Sequence, residues 1–121
     1  MGIRDDKSLR FHTHAIGHLQ NISNIISKIN TPGNEQANTS LRHAFTAAHG
    51  HYMDSVGHHE NGRYEDAARS LSLVSPHVDT LVGLMHDHPR VDERHKETLK
   101  SASAALKPLA TNYKNSNFGS D

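Results

Sequence analysis

Twelve histidines are the residues of this 121-residue chain whose chemistry stands out. Neutral imidazoles bind first-row metal ions, and they gain a proton close to neutral pH. His14 and His18 are four residues apart, as are Asp54 and His58, so each pair lies on one face of a helix. Antiparallel pairing of their two helices brings His51 to the same end. The sequence therefore predicts a candidate site for Zn²⁺ or another divalent first-row ion, formed by His14, His18, His51, Asp54 and His58.

The alternative interpretation of the histidines is structural. His12 and His51 fall inside the apolar arcs of their predicted helices, and His88 and His95 occupy seam positions between helices. Because imidazole titrates near pH 6.5, acid would move the net charge from zero toward +12 and charge groups that pack in the core. This hypothesis predicts a bundle whose stability falls in acid.

Four helical segments must position these side chains. Apolar residues recur every three or four positions over 9–30, 35–60, 63–88 and 90–113, which is the spacing of amphipathic helices. The connections are short and contain Pro, Gly or Asn, so the helices end there and their neighbours run antiparallel. The predicted fold class is all-α, an antiparallel up-down-up-down four-helix bundle.

The third and fourth segments carry the most regular apolar pattern. We expect Pro76 to kink the third segment, because the pattern continues unbroken through it, and Pro108 to bend the fourth. Seam positions in both segments alternate by three and four residues, which predicts a hairpin at the centre of the bundle. Its core or interaction seam consists of Tyr64, Leu71, Val78, Met85, Leu99, Leu106 and Tyr113.

The length of the chain allows one domain. We expect an N-terminal arm at 1–8, a single helical-bundle domain at 9–113 and a polar C-terminal tail at 114–121. Only 34% of the residues are hydrophobic and none is tryptophan, so the core must be thin and built from Leu, Ile, Val and Ala. A thin core favours a fold that depends on a protein partner or on copies of itself.

A basic stripe follows one side of the fourth segment. Such a stripe meets acidic protein surfaces or a phosphate backbone in some proteins. Here no aromatic residues are interleaved with it and the net charge of the chain is zero, so a solvated helix face is the preferred interpretation and nucleic acid is not favoured as a partner. The stripe consists of Lys96, Lys100, Lys107 and Lys114.

Several classes of protein are excluded by what the sequence lacks. It has no cysteine, which excludes disulfide frameworks and thiolate zinc sites. It contains no phosphate-binding glycine loop, no nucleophile elbow and no HExxH motif, so we predict that it is not an enzyme. No apolar stretch is long enough for a membrane span or a signal peptide. We therefore expect a cytoplasmic protein, or one within an assembly formed there, that is not secreted by a signal peptide.

These observations predict a non-catalytic helical bundle that mediates protein–protein interaction or assembly, with itself or with a larger complex. An accessory structural subunit of a complex such as a virion fits this description. No cofactor is expected in this interpretation. The alternative is a bundle that binds Zn²⁺ or another first-row ion through its clustered histidines, with a metal-dependent enzyme as a weaker variant.

Overall fold

Six helices build the part of the chain that the computed structural model describes, namely residues 6–29, 35–88 and 91–116. The all-α prediction is confirmed, because these residues contain helices and turns and no strand. The two short helix pairs α3–α4 and α5–α6 each form one segment, so the fold has the four predicted segments. The helices are α1 (Asp6–Ile29), α2 (Glu35–Glu60), α3 (Tyr64–Ser72), α4 (Val74–His86), α5 (Glu93–Leu106) and α6 (Leu109–Asn115).

Each segment packs against the next one along the chain, and the first packs against the last. The most extensive contact is that of α2 with α3 and α4, and the least extensive between neighbouring segments is that of α1 with α2. Helix α3 contacts α6 while α4 contacts α5, so these two segments run in opposite directions. The contacts are those expected of an antiparallel up-down bundle.

A proline accounts for the break in the helix of the third segment and for the break in that of the fourth. The third segment is broken at Leu73, which corrects the predicted kink at Pro76. Pro76 has no N–H to donate to the carbonyl of Ser72 four residues before it, and its ring crowds that carbonyl. The helix therefore ends at Ser72, the Leu73 N–H donates to the Ser70 carbonyl at 3.0 Å, and a new helix starts with Pro76 in its first turn. Pro108 separates α5 from α6, where the bend was expected.

Several helix ends differ from the predicted ones. Helix α1 begins at Asp6, earlier than predicted, whereas α2 has the predicted bounds. The third segment ends at His86 and the fourth begins only at Glu93. Asp92 is the reason for the later start, because its carboxylate accepts a hydrogen bond from the His95 N–H at 2.9 Å and caps the helix.

The predicted arm and tail lie partly outside the described residues. Residues 1–5 of the arm and 117–121 of the tail are outside them. At the C-terminal end, α6 continues to Asn115, so the helical part of the chain extends past the predicted domain boundary.

The core consists mainly of Leu, Ile, Val and Ala side chains contributed by all four segments. Tyr64 of the predicted seam is half-buried, and the other six seam residues are at most 3% exposed. Polar side chains are buried as well, and these are His12, Asn38, Ser55, His59 and His88. Three of these five buried side chains are histidines, so titratable imidazoles lie inside the bundle.

Candidate functional site

Two imidazoles and three phenols meet where α1 begins and α2 ends. His12 Nδ1 lies 2.7 Å from the Tyr52 hydroxyl oxygen, and His59 Nδ1 lies 2.7 Å from that of Tyr113. The ring centroids of His12 and His59 are 5.4 Å apart, as are those of His59 and Tyr64. These five residues, which include all the tyrosines of the chain, form what we call the imidazole–phenol cluster.

The environment of the cluster keeps its buried phenols protonated. Burial raises the pKa of Tyr52 well above its usual range. Burial, and secondarily the neighbouring Tyr64 hydroxyl, does the same to the pKa of Tyr113. In each pair the phenol donates when Nδ1 carries no proton, and the imidazole donates when it does. The hydrogen bonds therefore fix the orientation of His12 and His59, and they tie α1 to α2 and α2 to α6.

His59 is a buried member of the cluster that we did not predict as a core residue from the sequence. Its signal is the apolar arc of α2, which runs through Ala48 and Tyr52 in steps of three and four residues. The same steps lead next to Ser55 and His59, and both are buried. An arc followed past its last apolar residue would have found this imidazole.

Of the predicted metal ligands, His14 and His18 come together on α1. Their ring centroids are 4.6 Å apart in an edge-to-face arrangement. His14 is exposed and His18 is half-buried. Burial, and secondarily the neighbouring imidazole of His14, lowers the pKa of His18. A lowered pKa favours the neutral imidazole, which is the form that binds metal.

The three ligands predicted on α2 lie away from that pair. His51 stacks on His77 of α4, with ring centroids 5.2 Å apart. His58 follows two helical turns later on the same side of α2, and Asp54 is exposed. The structure therefore divides the five predicted ligands between two places. Within the described part of the chain, no group of three or more His, Asp or Glu side chains is arranged to hold a metal ion.

The remaining predicted residues make local contacts. His88 Nε2 lies 3.2 Å from Asn38 Oδ1, which joins the end of α4 to the start of α2. His95 is half-buried, with Nδ1 3.4 Å from Asp92 Oδ1. In the basic stripe, Lys96 Nζ lies 3.6 Å from Glu93 Oε1, and the other three lysines are exposed. No described helix has the length and apolar character needed to cross a membrane.

The described residues form a surface groove on either side of α1. The α1–α2 groove has a volume of about 180 Å³, and its walls include Ile16, Phe45 and Met53. Ile16 is 49% exposed and Met53 is 48% exposed, the two highest values among the large hydrophobic side chains that the structure describes. A second groove of about 390 Å³ lies between α1 and the α5–α6 segment, beside Arg10 and His14.

Comparison with known proteins supplies no relative from which a function could be transferred. No protein-family model, curated protein or solved structure matches this chain. The buried cluster, the two histidine pairs and the grooves are therefore the features that bear on function.

Proposed function

We propose that this chain is a non-catalytic helical bundle that binds protein through its α1–α2 groove, either a second copy of itself or a larger assembly. We further propose that it acts in the cytoplasm, or in an assembly formed there such as a virion, as an accessory subunit. The observation that carries the proposal is the half-exposed pair Ile16 and Met53 at one groove.

The hydrophobic effect favours protein binding at the α1–α2 groove. A contiguous exposed apolar patch on a small protein is typical of an interaction site, because covering it removes apolar surface from water. Phe45 contributes to the same groove and is half-buried. The groove stays open because α1 and α2 are the neighbouring segments with the least extensive contact.

The imidazoles and phenols of the cluster could in principle act as acids and bases, but their burial favours a structural role. His12, Tyr52, His59 and Tyr113 are at most 3% exposed and hydrogen-bond one another in pairs. A substrate would have to open the end of the bundle to reach them. Their arrangement holds three helices together, as an assembly module requires.

Site-specific cross-linking tests the proposed function. A photo-reactive amino acid at position 53, in cells that produce the protein, is expected to form covalent protein adducts. The matched control places it at Leu73, which is 44% exposed but lies at the α3–α4 junction. Adding Ile16→Asp should abolish the adducts at position 53. Equal adducts at both positions, or none at position 53, would contradict the proposal.

The second candidate function is metal binding, and the contact of His14 with His18 favours it. Two neighbouring imidazoles on one helix can bind a divalent first-row ion together, with water completing the coordination shell. The test is native mass spectrometry of untagged protein with added Zn²⁺. We expect one bound ion that is lost in His18→Ala and kept in His43→Ala, which removes an exposed imidazole elsewhere. An ion retained by His18→Ala would contradict this candidate.

A further inference from the structure

We infer that the occupant of the α1–α2 groove is a second copy of this chain, held by an antiparallel contact between the two α2 helices. The inference rests on the proposed function and names its partner. Six side chains form one stripe on the outer side of α2, at positions that alternate by four and three residues. This α2 stripe consists of Arg42, Thr46, His49, Met53, Val56 and Glu60.

The α2 stripe lies where a second helix can reach it. Five of its residues are exposed and Val56 is half-buried. His49 and Met53 also line the α1–α2 groove, so the stripe continues into the apolar surface that Ile16 provides. Alternation by four and three residues is the seam spacing of a coiled coil, and from Arg42 to Glu60 the seam is about 27 Å long.

The order of residues in the stripe is complementary to itself. In an antiparallel pair of helices, each seam position faces one of the other type on the partner. When the two-fold axis passes the stripe level with position 51, Arg42 faces Glu60 of the partner subunit and His49 faces Met53 of the partner subunit. Thr46 then faces Val56 of the partner subunit, so one two-fold axis pairs all six positions.

Charge and side-chain chemistry favour this pairing over the parallel one. Arg42 and Glu60 are exposed, and neither forms an ion pair with another residue in the described part of the chain. The antiparallel contact supplies an opposite charge to both, at the two ends of the seam, whereas a parallel contact sets arginine beside arginine. At the centre, each Met53 sulfur meets an imidazole, which is a favourable contact.

The backbone beside the stripe also allows a helix to approach. Gly50 lies next to it, and apart from its two chain neighbours and the local helix backbone no described atom is within 4 Å of where a Cβ would be. Gly50 itself therefore presents no side chain to a partner helix. This open position permits close packing, and the specificity comes from the paired residues of the stripe.

Sedimentation velocity of the full chain at low ionic strength tests the inference. We expect a dimer whose dissociation constant rises about tenfold or more in each of Met53→Asp, Arg42→Glu and Glu60→Arg. The double variant Arg42→Glu/Glu60→Arg should restore the affinity, because the reversed charges face each other again. Leu73→Asp and Lys100→Glu are the controls, since they replace another exposed apolar side chain and another exposed basic side chain by the same acidic residues elsewhere on the surface.

The outcomes separate this inference from the proposed function. A monomer at all micromolar concentrations, or a dimer that the double charge reversal does not restore, overturns the second copy as partner. If that monomer still forms adducts from position 53 in cells, the groove binds another protein and only the inference fails. If it forms none, both fail. Circular dichroism of each variant verifies that the helices are retained.

Discussion

Replacing Tyr52 by phenylalanine measures what the imidazole–phenol cluster contributes to stability. The change removes one hydroxyl and keeps the ring, so packing is preserved while His12 Nδ1 loses a partner at 2.7 Å. Tyr52 is 1% exposed and His12 is 2% exposed, so water does not replace the hydroxyl without opening the core. Loss of one partner of a buried hydrogen bond costs about 1–3 kcal/mol. With about 2.1 cal/mol/K of unfolding entropy per residue, each kcal/mol lowers the melting temperature of 121 residues by about 4 °C.

A double-mutant cycle assigns that cost to the hydrogen bond. His12→Leu removes the imidazole and leaves the Tyr52 hydroxyl with the His12 carbonyl, 3.4 Å away. The double variant Tyr52→Phe/His12→Leu removes both polar groups, so its cost should be smaller than the sum of the single costs by about 0.5 kcal/mol or more. Urea denaturation gives the three free energies of unfolding.

Tyr64→Phe is the matched control within the same cluster. Tyr64 is half-buried and its hydroxyl makes no hydrogen bond to any described residue, so we expect a change within about 0.5 kcal/mol. The reasoning is refuted if Tyr52→Phe is as mild as this control. It is also refuted if the single costs in the cycle simply add.

Four further predictions concern pH and packing. Burial raises the pKa of Tyr52 and Tyr113. Above about pH 10 the unfolded chain therefore loses phenol protons that the folded chain keeps. The free energy of unfolding then falls as pH rises. Their phenolate absorbance should therefore emerge together with the loss of helical circular dichroism. Burial, and secondarily the adjacent imidazole of His14, lowers the pKa of His18. As pH falls below about 6.5, His18 therefore gains a proton in the unfolded chain before it does so in the folded chain, and the free energy of unfolding decreases. His18→Gln should make this decrease with falling pH shallower. Leu71→Ala should cost roughly 2–5 kcal/mol in urea denaturation, because Leu71 is 1% exposed in the core. Gly83→Ala should raise the free energy of unfolding by about 1 kcal/mol, because apart from the two chain neighbours and the local α4 backbone no described atom is within 4 Å of the added Cβ.

Each of these four predictions has its own contradicting result. Ionisation of all three phenols by about pH 12, with the helices intact, contradicts the first. A melting temperature that is equal at about pH 8 and pH 5.5 contradicts the second. A loss below about 1 kcal/mol in the leucine variant means that the core closes over the cavity. A destabilised alanine variant contradicts the fourth.

The sequence predicts the helices well because their apolar spacing depends only on which side of each helix faces the core. The bounds of α2 follow from this spacing and its end signals. The break at Leu73 is different, because the apolar pattern continues through a one-residue interruption that keeps Leu71 and Val74 both facing the core. Pro76 acts on the carbonyl four residues earlier, so its effect is found upstream of the residue itself.

The site was harder to predict because it depends on the rotation of α2 as well as on its direction. The predicted antiparallel pairing of α1 and α2 would place His18 near His51. His51, however, stacks on His77 of α4, on the side of α2 away from the groove that Met53 lines with α1. Spacing along one helix thus predicted the His14–His18 contact. Which side chains contact each other between helices could be seen only in the structure.

The location of all the tyrosines in one cluster gives the protein a local optical reporter. The chain has no tryptophan, so its intrinsic fluorescence arises at the end of the bundle where α1 begins and α6 ends. Where the phenol donates to Nδ1, the imidazole can accept the proton of the excited phenol, and this transfer quenches the emission of Tyr52 and Tyr113. Loss of these two hydrogen bonds is therefore expected to brighten the tyrosine emission, and time-resolved fluorescence follows that change without an added label.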